Sequence, residues 1–203
     1  SGMCSVELGN HNRFLEMAEK MKELADAFDY FYTRTLRMRL LHMGFAKFRW
    51  YDKILAKVDK DIAFIKTTGN EAMLINVLFY KAQACTFLGK ISDAQLAIDE
   101  SEKIIHNHKR IPLYYTQYLI TKIKFRIKLI KDLEQKDSIF RSGINELQKL
   151  SYKLIKMTNK NVATKTEAYQ LKAIILMLQN KHSKARKYLN ISISAGEKYN
   201  SRP

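Results

Sequence analysis

The stretch MLINVLFYKAQACTFLGKISDAQLAIDESEKII, residues 73–105, constrains this chain more than any other. Two apolar helical rows meet at Gly89-Lys90, with small residues at the points where two helices would have to touch. Ala82 and Cys85 lie on the first row, Ala94 and Ser101 on the second, with Leu78 and Ile98 as bulkier partners. Apolar positions three and four apart fall on one side of a helix, and a glycine between two such rows supplies the turn. The spacing predicts an antiparallel helix hairpin.

The same plan returns near the end of the chain. Ala173 precedes Asn180 by the seven residues that separate Ala82 from Gly89, and Ala185, Leu189 and Ser192 repeat the spacing of Ala94, Ile98 and Ser101. Between the two hairpins, Gly143 is the best placed residue for another close helix contact. Asn10, Asp137 or Ser138, Ser92–Gln95 and Thr164–Glu167 offer N-caps or capping boxes. Gly69 offers a helix stop and Pro112 a first helical turn. Residues 112–134 alternate Lys122, Lys124, Arg126 and Lys128 with apolar residues, a strand-like period. Their unbroken length and the row Tyr115, Leu119, Ile123, Ile127 predict a helix instead. A further break is expected near Trp50, and the first helices are expected to turn Leu24 and Tyr32 inward.

The spacing Leu78, Ala82, Cys85, Gly89, Ile91, Ala94, Ile98, Ser101 resembles the tetratricopeptide repeat, a helix–turn–helix unit of about 34 residues. The large aromatic expected at Leu78 is missing, and the intervals between hairpins are longer. In this respect the chain resembles divergent repeats of bacterial multidomain regulators. The resemblance implies an all-α chain of about eight or nine helices, stacked as hairpins into a right-handed solenoid with a concave groove. It implies a single repeat domain over 11–203, after a cloning remnant and flexible segment over 1–10. The ending Tyr199–Pro203, directly after a helix, is what a piece of a larger protein would show.

The resemblance also implies a non-catalytic scaffold or regulatory module that binds a protein or peptide in the groove. The Lys and Asn that clamp a partner's C-terminal carboxylate in some tetratricopeptide proteins are replaced by Phe79 and Gln83, so such a clamp is not expected. Phe79, Gln83 and Thr86 are the expected groove residues.

Charge opens a second reading. The formal net charge is +16, of which 111–203 carries 19 basic and 6 acidic residues. Such asymmetry attracts nucleic acid or an acidic partner. A Lys-, Ile- and Asn-rich coding bias explains it as well. Lys122, Lys124, Arg126, Lys128 and Lys131 are the candidate anion-binding set. A regulatory module within a larger signalling enzyme is the third reading.

No motif names a reaction, and neither cofactor nor metal is expected. His106 and His108 lack a third ligand at suitable spacing. Cys85 lies on a packing row, as a buried inert thiol would. With Cys4 it suggests a reducing compartment, the cytoplasm. The aromatic and basic block 28–51 could stack on bases, but reads better as helix packing with arginines at the rim. Removal of residues 164–203 is expected to uncover the apolar face of the preceding hairpin. Size-exclusion chromatography should then find the shortened chain aggregated.

Overall fold

The computed structural model describes residues 10–28, 31–108, 112–134, 137–158 and 164–199, with the side chains of 107, 108 and 112 outside this set. Every regular element among the described residues is an α-helix. They are α1 His11–Phe28, α2 Phe31–Lys47, α3 Tyr51–Thr68, α4 Glu71–Phe87, α5 Ile91–His108, α6 Pro112–Ile130, α7 Ser138–Met157, α8 Lys165–Leu178 and α9 His182–Tyr199. Residues 112–130 are therefore helical, despite their two-residue alternation.

Three of the turns close in one way. Gly89, Asn180 and Arg49 adopt left-handed backbone, with φ of 77°, 58° and 59°. The following N–H reaches back five residues in each: Lys90 to Cys85 O and Lys181 to Leu176 O at 2.9 Å, Trp50 to Phe45 O at 2.7 Å. This pattern satisfies carbonyls that a helix end would otherwise leave unpaired. Glycine fits it freely and asparagine tolerates it, whereas Arg49 adopts it against a steric cost of roughly 1–2 kcal/mol. The Trp50 ring packs at 6.0 Å from Phe45, across the same turn.

The other signals divide. Asn10 Oδ1 accepts from Arg13 N at 3.0 Å, and Asp137 Oδ1 from Ile139 N at 2.7 Å. Gly69 ends α3 with φ 66°. The capping box expected at Ser92–Gln95 does not form. The turn at Gly89 lets α5 begin at Ile91, so Ser92 is already helical and Gln95 donates forward to Asp99 Oδ1 at 2.6 Å. Thr164 takes the N-cap position of α8 without a side-chain capping bond. Glu167 of that box turns to Lys124.

The chain divides into two compact units, Ser1–Ile104 and Ile105–Pro203, with the boundary inside α5. In unit 1, α1 packs on α2, and α4 packs on both α2 and α3. In unit 2, α7 packs on α6, α8 on both α6 and α7, and α9 on α8. Contact of a helix with the one two places along, α2 with α4 and α6 with α8, is how consecutive hairpins stack.

Small residues recur at buried positions of these helices. Ala82, Ala94, Ala173 and Ala185 are all buried, as are Ser101 and Ser192. Ser192 Oγ donates to Thr166 O across the last hairpin at 2.8 Å. A Cβ on Gly143 would lie 2.8 Å from Ile130 Cγ2, so α6 and α7 approach there as the sequence suggested. The Phe14 ring sits where a Cβ of Gly44 would be, a close contact that the spacing alone did not reveal. Phe14 itself is fully buried, whereas Leu24 and Tyr32 are exposed. The inward faces of α1 and α2 are thus rotated from the expected ones.

Substitution of Ala94 by Leu is expected to destabilise the fold by roughly 1–3 kcal/mol through overpacking. Leu96→Ala, at an exposed position on the same helix, should change stability by no more than about 0.5 kcal/mol. Denaturant unfolding of both variants checks the register.

Candidate functional site

The expected groove residues lie on α4, where Leu74 through Tyr80 are all buried. A helix apolar around its whole circumference belongs inside a fold. Phe79 is 1% exposed, and Thr86 is buried with Oγ1 donating to Ala82 O at 2.7 Å. These two are corrected from groove to core. Gln83 alone of the three is partly open. The cause is the packing of α4 against both α2 and α3, which leaves it little free surface.

The aromatic and basic block is also largely packing. Phe14, Phe45, Phe48 and Trp50 form a ring cluster, with Phe48 and Trp50 at 5.3 Å. Lys53 Nζ lies 4.1 Å above the Trp50 ring and Arg34 4.7 Å above Phe64. Arg37 Nε donates to Ala18 O at 2.9 Å.

Sequence reasoning missed the polar cluster in the core of unit 1. His42 is 0% exposed, and its Nε2 is 2.8 Å from Asp61 Oδ2, which Lys57 Nζ also approaches at 3.4 Å. The Tyr80 ring stacks at 6.1 Å. Among the described residues, His42 Nδ1 and Asn76 Oδ1 have no hydrogen-bond partner. A histidine oriented by aspartate is a common catalytic pairing, but this ring is sealed from solvent and so serves the packing of α2 on its neighbours. Its one available signal was its place in the otherwise apolar stretch Leu40–Ala46.

The α6 cations are mostly engaged within unit 2. Lys124 pairs with Glu167 at 2.6 Å and Arg126 with Glu146 at 3.1 Å. Lys122 Nζ is 3.0 Å from Tyr118 Oη, and Lys131 is 3.9 Å from Asp132. Lys128 is half-buried. A helix packed against both α7 and α8 must carry some of its charges at those contacts, and the acids are there to meet them. The α6 row is therefore not the free anion-binding surface that the sequence suggested.

The unengaged cations lie farther along. Arg141, Asn145, Lys149, Tyr152 and Lys156 recur every three or four residues on the outward face of α7, opposite buried Phe140, Ile144, Leu147 and Leu154. Lys153 is exposed beside them, and Tyr152 is 70% exposed. On α9, Lys184, Arg186 and Lys187 are exposed. None of these six lysines and arginines from Lys149 onward forms an ion pair among the described residues.

Cys85 is buried, and burial pushes its thiol pKa up, which disfavours the reactive thiolate. Among the described residues, no three His, Cys, Asp or Glu side chains gather as a metal site. The His108 half of the His106–His108 pair lies outside the described side chains.

Burial holds the His42 pKa below its ordinary 6.5, against the opposing pull of Asp61. The folded state therefore binds this proton less readily than the unfolded chain. The resulting stability is complete above pH 6.5 and is lost as the pH falls through and below it. Thermal melting should decline from pH 7 to pH 5. His42→Asn should lower stability at neutral pH but flatten this decline.

Comparison with protein-family models, with curated proteins and with solved structures returns no match to this chain.

Proposed function

We propose that the chain is a non-catalytic interaction module of tetratricopeptide-like hairpins, and that its second unit holds an acidic, partly apolar segment of a partner protein. The observation that carries this reading is where the charge lies. Unit 2 has 21 basic and 6 acidic residues, whereas unit 1 has 15 and 14. A coding bias toward lysine would raise basic content throughout; it does not remove acids from one unit. Within unit 2, Glu146, Glu167 and Asp132 already face α6 cations or a neighbouring lysine, and Asp137 caps α7. The outward faces of α7 and α9 are thereby left strongly positive.

Exposed Ile139 and Ile193 lie on the same two helices. Aliphatic side chains add nothing to a contact with phosphates but suit the side chains of a peptide. At physiological salt the Debye length is about 8 Å, so clustered exposed cations act on a ligand mainly at close range. No helix among the described residues is long and apolar enough to cross a membrane.

Tyr152, exposed among Lys149, Lys153 and Lys156, favours a second reading, in which α7 binds single-stranded nucleic acid. A base stacked on an aromatic ring contributes about 1–3 kcal/mol. A role in regulating a larger signalling enzyme would draw on the same surfaces.

Reversal of Lys149, Lys153 and Lys156 to Glu should abolish capture of an acidic-apolar peptide while leaving the melting temperature nearly unchanged. Reversal of Lys122, Lys124 and Lys128 should instead lower stability, because the carboxylate introduced at position 124 would face Glu167. Titration with the peptide and with a single-stranded oligonucleotide across a salt series separates the two readings. Micromolar oligonucleotide binding, with a log–log salt slope of about −0.7 per phosphate and loss in the α7 variant, would select nucleic acid.

A further inference from the structure

Where the C-terminal half of α9 runs past the start of α8, unit 2 has an open cavity of about 430 Å³. Lys187, Asn190, Ser194 and Lys198 lie on one face of α9, at steps of three or four residues, and Lys165 comes from the first turn of α8. Ile191 and Ala195 complete the lining. Among the described residues, no carboxylate contributes to it. Glu167, the acid nearest in sequence to Lys165, is engaged with Lys124 at 2.6 Å.

The Lys165 and Lys187 ammonium groups, beside a carboxamide and a hydroxyl, match a ligand charge of up to two better than the single charge of a carboxylate. A phosphate monoester presents three terminal oxygens and up to two charges, and lysines bind such groups as point charges. The apolar part of the lining matters equally: Ile191 and Ala195 offer hydrocarbon to the organic body of the ester, not to its phosphate. The volume lies within the range of about 300–1,000 Å³ common to small-molecule sites.

We propose that this cavity binds a small organic phosphate monoester, with Lys165 and Lys187 at the phosphate and Ile191 and Ala195 against the ester's carbon skeleton. The site differs in kind from the macromolecular contact proposed for unit 2. It uses the cavity at the α8–α9 hairpin, and of the cations named for that contact it shares only Lys187.

Calorimetric titration of the full chain with phenyl phosphate, at fixed ionic strength, tests the site. Wild-type protein should bind it, and Lys165→Gln with Lys187→Gln should weaken binding about tenfold or more, the scale of losing charged hydrogen bonds. Lys187→Gln alone, at an exposed position, should give a smaller loss in the same direction without disturbing the fold. Lys149→Gln with Lys153→Gln, on α7, should leave phenyl phosphate affinity unchanged even where it abolishes peptide capture. Inorganic phosphate should bind more weakly than the ester.

Three results would each overturn the proposal. One is no heat of binding with phenyl phosphate at millimolar concentration. Another is equal weakening by the α7 and cavity variants, which marks diffuse attraction. The third is inorganic phosphate binding as tightly as the ester.

Discussion

Two helices approach closely only where a side chain is absent or small, and the rest of this structure depends on that constraint. Gly44 admits the Phe14 ring, Gly143 admits Ile130, and alanines occupy matched buried positions in the first and last repeated hairpins. Interiors are packed as densely as organic crystals, so each contact fixes the rotation of its helix about its own axis. That rotation decides which residues remain outside. Phe79 is core and Tyr152 is surface for this reason, although both are aromatic residues on helices.

The turns add a second constraint. Left-handed residues at Arg49, Gly89 and Asn180 reverse the chain within about three residues, holding successive helices antiparallel and adjacent. A bond from the third residue after the helix to a carbonyl five residues back closes all three. That one of them uses arginine means the geometry is imposed by packing on either side, including Trp50 against Phe45, and not by local preference.

Charge then follows packing. Unit 2 has few acids, and those on α7 and α8 that face α6 meet its cations. An ion pair at a helix contact neutralises a cation that sequence alone would count as available. The positive surface is consequently displaced from α6 to α7 and α9. In unit 1 the corresponding polar feature is the sealed His42–Asp61 pair, where burial lowers the histidine's proton affinity and links stability to pH.

The sequence by itself determined the helical class, the hairpin turns at Gly89 and Asn180, and the burial of the small residues Ala82, Ala94, Ser101, Ala173, Ala185 and Ser192. It also located the Gly143 contact and the charge imbalance. These are carried by periodicity, by single residues with special backbone freedom, and by composition, all local or countable. Tertiary structure alone decided that Phe79 and Thr86 are core, that Leu24 and Tyr32 face outward, and that Lys124 and Arg126 are paired. It also decided that Arg49 turns the chain, that His42 meets Asp61, and that Lys165 shares a cavity with Lys187. Each of these depends on which face of one helix meets another. A run with apolar residues on every side, such as Leu74–Tyr80, or with cations spread around it, such as 122–131, does not encode that choice in its own spacing.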